Sequence, residues 1–384
     1  MKDVCVLTTS RAEYGLLYPL LRKFEQSVEF RLHLVVSGTH LESNFGRTKD
    51  EIYADGFQNI IEMDILEETG DSAKDSSIII ANATRKMAEY LEEQHLDIAF
   101  ILGDRYEMIG FAIALVNERV PIAHINGGET TGGALDEIYR HCLTKMSTIH
   151  FPNCELHKKR IIQMGEDRNK VFNVGDLCVD NIKNTKLLNR EDLEKELGIS
   201  FKYPVVVVTF HPVTMESDSE EQLMNLLEVL DANGKYTYVF TMPNNDRGGR
   251  SLTSIIENYV GQRDNCILVP SMGRVRYLSL LSQSFCVIGN SSSGLYEVPY
   301  FHIPTINIGN RQKNRYHGAT VIDCGSRKQS IQESFEKAAG AEFRRKCFDE
   351  KMLWGDGNAA NKIFAITKEL LNEKINITKT FYDL

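Results

Sequence analysis

Short apolar runs alternate with amphipathic stretches along most of the chain. VCVLTT (4–9), LHLVVSG (32–38), DIAFILG (97–103) and PIAHING (121–127) are rich in Val, Ile and Leu and end on a Gly or a polar residue. Near-continuous runs of this kind are the pattern of strands buried on both faces. Helical spacing fills the intervals: LLYPLLRKFEQS (16–27), IIIANATRKMAEYLEEQ (78–94) and the apolar stretch that follows GDRYE (103–107). ALDEIYRHCLTKM (134–146) predicts a further helix, TIHFPN (148–153) a strand and VFNVG (171–175) one more. The charged segment 181–204 then breaks the rhythm and ends at Pro204. After it the alternation resumes with VVVVTF (205–210), YTYVFTMP, NCILVP, FCVIGN, PTINIG and ATVID, and GDGNAANKIFAITKELLNEK (355–374) closes the chain with an amphipathic helix.

Strands alternating with helices predict parallel sheets covered on both faces. The expected fold class is α/β, with two Rossmann-like doubly wound domains facing a cleft. The expected divisions are 1–180, 181–357 and a C-terminal helix, 358–384, packing back on the first domain. Such sheets bind ligands beyond the carboxyl ends of their strands. Arg11, His40, Asp104, Glu129, His211, Asn244 and Ser291 all fall just after predicted strands, so residues far apart in sequence are expected to converge.

Composition narrows the class. Hydrophobic residues make up 42% and charged residues 25% of the 384, as in a soluble globular protein. The net charge of −9 argues against a nucleic-acid partner. No apolar run approaches the roughly 20 residues of a membrane helix, and the start of the chain lacks a secretory leader. The eight cysteines form no CxxC pair, which suits a reduced, cytoplasmic protein. GxGxxG after the first strand, a Walker lysine, zinc-ligand spacing and GxSxG are all absent, so no cofactor and no metal is indicated.

The candidate chemistry lies in the turns. Arg11 could fork onto a diphosphate, or pair with Glu13. In GDRYE, Arg105 beside Asp104 could hold that carboxylate ionised as a base, while Asp104 could equally cap the following helix. Asp136 and Arg140, four apart, share a helix face and could pair. Glu129 sits in GGETTGG, a turn with more glycine than a strand-to-helix connection requires. His211 could donate to a phosphate oxygen, and His40 invites the same reading. Arg311, in GNRQKNR, could bind phosphate. In FCVIGNSSSGLYEVP (285–299) a strand, a small-residue turn and a helix start suggest an anion site, with hydroxyls from Ser291 and Ser292 and with Gly294 admitting a ligand to the backbone.

Taken in order, TSRAEYG, SGTH, GDRYE, a HxxGGE-like segment, DExxRHxxTKMS, FHP, IGNSSSGLxEVP and INIGxRQ resemble the hydrolysing UDP-N-acetylglucosamine 2-epimerases of sialic and related nonulosonic acid pathways. The similarity spans about residues 4–324. It implies a glycosyltransferase-B-type fold and conversion of UDP-GlcNAc and water to ManNAc and UDP through a glycal, without metal or nicotinamide. It further implies that Asp104 and Asp136 are acid/base carboxylates, that Arg11, His211, Ser291 and Ser292 contact the diphosphate, that Glu297 grips the ribose, and that Asn244 and Arg311 complete the nucleotide site. One departure stands out. Many members carry a catalytic Glu two residues after the histidine, where this chain has Asn126, and the nearest carboxylate is Glu129. The change could accompany another sugar, such as the UDP-2,4-diacetamido-2,4,6-trideoxyhexose of legionaminic acid synthesis. A non-hydrolysing epimerase, a glycosyltransferase and a non-catalytic nucleotide-sugar binder are the competing classes. A homodimer or homotetramer is expected by default.

Overall fold

The computed structural model describes residues 1–384 except 43–47, 68, 70, 71, 132–134, 203, 214–217, 244–248, 270, 271, 374 and 384. Asn244 therefore lies outside the described residues. The chain divides into two compact units, Met1–Lys183 with Trp354–Leu384, and Asn184–Leu353.

The first unit runs β1 (Lys2–Thr8), α1 (Arg11–Glu25), β2 (Phe30–Ser37), α2 (Thr48–Ala54), β3 (Ile60–Met63), α3 (Ala73–Glu93), β4 (Ile98–Leu102), α4 (Glu107–Asn117), β5 (Ile122–Ile125), α5 (Leu135–Met146), β6 (Ile149–Phe151), α6 (Glu155–Gln163) and α7 (Leu177–Asn184). Its six strands are parallel, in the order β3-β2-β1-β4-β5-β6. Alternation along β1 divides the core between the two faces. Val4 and Val6 pack with Leu17, Leu21 and Phe24 of α1, while Cys5 and Leu7 pack with Ala83 and Met87 of α3 and Phe111 of α4.

The second unit runs α8 (Arg190–Leu197), β7 (Val205–Thr209), α9 (Ser219–Ala232), β8 (Thr237–Thr241), α10 (Gly249–Val260), β9 (Cys266–Val269), α11 (Gly273–Ser282), β10 (Cys286–Gly289), α12 (Ser293–Tyr296), β11 (Thr305–Ile308), β12 (Val321–Cys324), α13 (Lys328–Ala339) and α14 (Ala341–Asp349). Its parallel order, β12-β11-β10-β7-β8-β9, repeats that of the first sheet. Both are the doubly wound arrangement that the strand–helix alternation predicts.

The chain then returns to the first unit as α15 (Ala359–Asn372). Ala359, Ala360 and Ile363 join the core beneath α1. The first N–H groups of α15 are satisfied from far along the chain: Ala359 N and Ala360 N each donate to the Asp180 carboxylate at 2.8 Å.

Two expectations change. VFNVG is not a strand, because it meets the sheet only at one bridge, His150 to Val171. Beyond it the Val174 N–H goes to Pro152 O and Asn173 turns to Glu155. The edge strand β3 is an addition that the sequence pattern does not announce. No helix among the described residues is long and apolar enough to cross a membrane.

Candidate active site

In each sheet the strand order reverses at one point, between β1 and β4 in the first and between β7 and β10 in the second. Chains leaving adjacent strands there depart in opposite directions and leave a crevice at the carboxyl ends. Arg11 and Asp104 follow β1 and β4, and His211 and Ser291 follow β7 and β10. The principal candidates thus stand at the two switch points.

In the first unit the organising group is Arg140 on α5, only 1% exposed. Its guanidinium pairs with Asp104. It also reaches Glu137 Oε2 at 3.4 Å, Thr131 Oγ1 at 2.8 Å and the main-chain oxygen of Glu129 at 3.1 Å. A buried guanidinium needs such balance, because an uncompensated charge there is costly. Arg140 does not pair with Asp136, which is exposed in the first turn of α5; the long arginine side chain turns inward instead. Asp104 is not a helix cap, since Tyr106 occupies that position of α4. Nor is Arg105 its partner: Arg105 pairs with the buried Glu107.

Behind these groups His124, fully buried, donates from Nε2 to Gly103 O at 2.7 Å and lies 3.1 Å from Thr144 Oγ1. This holds the turn before Asp104 against β5 and α5. Gly127 and Gly128 have a packing role. A Cβ on Gly127 would meet His124 Nδ1 at 2.9 Å, and one on Gly128, at φ +80°, would meet His157 O at 2.4 Å. Asn126 adopts φ 61° and donates to Asp176 Oδ2 at 3.2 Å.

His40, read from the sequence as a possible phosphate contact, lies inside the first unit. It is fully buried, with Thr8 Oγ1 2.9 Å from one ring nitrogen and Thr48 Oγ1 2.8 Å from the other. Arg11 is exposed and faces Glu51 at 3.3 Å, rather than Glu13.

Burial holds His40 and His124 at about 4 and His157 at about 3, so all three are neutral at pH 7. The folded state therefore refuses protons that the unfolded chain accepts below about pH 6.5. Stability should fall as pH drops from about 6.5 to 4, by an amount on the order of 3 kcal/mol per group. Glu166, held at about 2 despite burial by His150, Lys145 and Lys379, adds a second loss below about pH 4.5. Urea midpoints measured against pH check this, and His124→Gln should flatten the first limb. An unchanged slope in that variant would contradict it.

In the second unit Asn290, fully buried, clasps His211 across the switch point. Its Oδ1 accepts from His211 N at 2.7 Å and its Nδ2 donates to His211 O at 2.8 Å. Its own carbonyl accepts from Arg311 Nη1 at 3.2 Å and Gln312 Nε2 at 3.0 Å. One residue, through its side-chain amide and its main-chain carbonyl, thereby joins His211 and Arg311 to the start of the serine turn. Tyr277 OH donates to Ser293 Oγ at 2.8 Å, and Ser293 N donates to Ser291 Oγ at 3.4 Å. The half-buried Glu297 follows at the end of α12.

The expected helix after this turn is a single turn of four residues with no side-chain cap from Ser292. A helix dipole contributes little over that length, so anion binding there would rest on hydroxyls and Arg311. Gly294 is explained by packing, because a Cβ would meet Thr305 Cγ2 at 2.6 Å. The sequence reading assigned no part to His124 or Gln312, and it placed Asn290 only as a member of the small-residue turn; the clasp on His211 appears with the fold. Among the described residues no cluster has the makings of a metal site.

The model of the UDP-N-acetylglucosamine 2-epimerase family matches residues 22–368. The chain belongs to that family. It is 34% identical over 388 residues to the GDP/UDP-N,N'-diacetylbacillosamine 2-epimerase (hydrolyzing) of Campylobacter jejuni, covering 100% of this chain and 99% of the relative. It is 33% identical to the polysialic acid biosynthesis protein P7 of Escherichia coli, covering 100% and 98%. The fold of this 2-epimerase-family enzyme is also that of the Neisseria meningitidis UDP-GlcNAc 2-epimerase solved with UDP-GlcNAc, with a TM-score of 0.81, 18% identity and coverage of 97% and 100%.

Proposed function

We propose that the enzyme is a hydrolysing 2-epimerase that converts a UDP-2-acetamido sugar and water to UDP and the free 2-epimeric sugar. The observation that carries this reading is the Asp104 carboxylate, fixed by buried Arg140 at the switch point of the first sheet. The full-length similarity to a relative named as hydrolysing supports the same direction. A carboxylate takes the proton from C2, the C1–O bond breaks with loss of UDP, and a glycal remains. Water then adds its oxygen at C1 while a proton returns to C2 from the opposite face. Asp104, Glu129 and Asp136 are assigned the proton transfers. His211, Ser291, Ser292 and Arg311 are assigned the departing diphosphate, whose developing charge fixed donors stabilise, and Glu297 the ribose hydroxyls. Exposed Arg11 is assigned to the outer phosphate. The free sugar is of the ManNAc type and would feed nonulosonic acid synthesis in the cytoplasm. The 4-substituent is a hydroxyl, or an acetamido group as in the substrate for which the Campylobacter relative is named.

The test is incubation with UDP-GlcNAc and, separately, UDP-N,N'-diacetylbacillosamine in D2O, followed by NMR. A free 2-epimeric sugar with deuterium at C2, together with UDP, is expected from one of them. An epimerised sugar still attached to UDP would make the enzyme non-hydrolysing, and binding without turnover of either would make it a nucleotide-sugar binder.

A further inference from the structure

At the switch point of the second sheet the pairing of β7 with β10 ends at Thr209 and Gly289. The two backbones are pressed together there. Gly289 stands at φ +143°, and a Cβ on it would meet Thr209 O at 1.8 Å, so only glycine fits. This approach delivers Asn290 to His211. Asn290 N donates to Thr209 O at 3.0 Å, and beyond that point the side chain takes over from the strand. His211 offers one main-chain donor and one main-chain acceptor. The Asn290 amide answers both, through Oδ1 at 2.7 Å and Nδ2 at 2.8 Å. A carboxylate lacks the donor, and a hydroxyl carries both functions on a single atom. The amide is fully buried, out of a ligand's reach. Arg311 and Gln312 are held by the main-chain carbonyl of Asn290 and owe nothing to its side chain. Among the described residues the hydrogen bonds of that side chain go to His211, so its route to the site runs through His211.

We infer that the Asn290 side chain is a positioning residue for the reaction: by holding both main-chain groups of His211 it sets where that imidazole stands as the diphosphate departs. The inference rests on the assignment of His211 to the diphosphate.

Asn290→Asp keeps the shape and the acceptor for His211 N, and sets a carboxylate oxygen against His211 O in place of a donor. Asn290→Ser brings no buried charge and is the parallel variant. In each, kcat should fall about 10- to 100-fold, the cost of a small misplacement of a reacting group, with KM changed by less than about threefold. His211→Ala leaves the main-chain partners of the amide in place and removes the imidazole they carry. In that background the Asn290 changes should lower kcat by less than about threefold further, since residues that act as a unit are non-additive. Should the wild-type enzyme turn over a UDP-sugar and the Asn290 variants match its kcat, the inference falls and the proposed function stands. An equal further fall in the His211→Ala background would also overturn the inference, because the side chain would then act apart from the imidazole. Should the wild type turn over none, the proposed function falls and with it the kinetic role of Asn290.

Discussion

Asp104→Asn is expected to lower kcat by about 10³-fold, within the range for loss of an acid/base group, while UDP affinity changes by less than about twofold. The two effects should separate because Asp104 belongs to the first unit, whereas the residues assigned to UDP, Arg11 apart, lie in the second. Asparagine has nearly the size of aspartate and its oxygen can still accept from Arg140. It cannot take a proton. Arg140 would retain Glu137 as a counter-charge at 3.4 Å, so the fold should survive with a loss of about 1–3 kcal/mol. Steady-state kinetics, calorimetric UDP titration and a thermal melt on one preparation give all three numbers. A variant with near-normal kcat and a lowered melting temperature would reduce Asp104 to a counter-ion for Arg140.

The long-period features of this chain are legible in its sequence, and the local partners are not. VVVVTF reads as a buried strand because no polar residue interrupts it, and Val205–Thr209 is one. The β3 segment, IIEM, is missed because four residues at a sheet edge, with Glu62 among them, carry too little pattern. Periodicity brings Asp136 and Arg140 onto one helix face, yet a buried guanidinium takes the partner that the fold supplies. Here that is Asp104, 36 positions away. The glycines show the same limit from another side. Gly127, Gly128 and Gly294 suggest mobility or ligand access when read alone, and each is required by a neighbouring side chain or backbone, of His124, His157 and Thr305 respectively. His40 looks like a site residue because it follows a strand. Only the structure reveals Thr8 and Thr48 against its two nitrogens. Positions after strands thus lead to the two switch points, and say less about which partner each side chain takes there.

Glu129→Gln should lower kcat by about 10²- to 10⁴-fold with UDP affinity nearly unchanged. The proposed reaction requires one group to remove the C2 proton and another to deliver it from the opposite face, and position 126, where the resemblance implies a carboxylate, is Asn126. Glu129 is the nearest candidate in sequence, and Arg140, which binds Asp104, also holds the Glu129 main chain at 3.1 Å. Arg160 steadies the same turn through Gly128 O at 3.2 Å. The backbone of Glu129 is therefore tied to the carboxylate with which it would have to work, while its side chain is only half-buried. The control is Asn126→Glu in the Glu129→Gln background. It should not restore the rate. Asn126 is left-handed, a conformation that costs most other residues about 1–2 kcal/mol, and its amide donates to the buried Asp176. Glutamate there would set one carboxylate against another, so the double variant should be less stable as well as slow. Normal kcat in Glu129→Gln would leave the two proton transfers to Asp104 and Asp136. Recovery of rate by Asn126→Glu would mean instead that the turn can redirect position 126 away from Asp176.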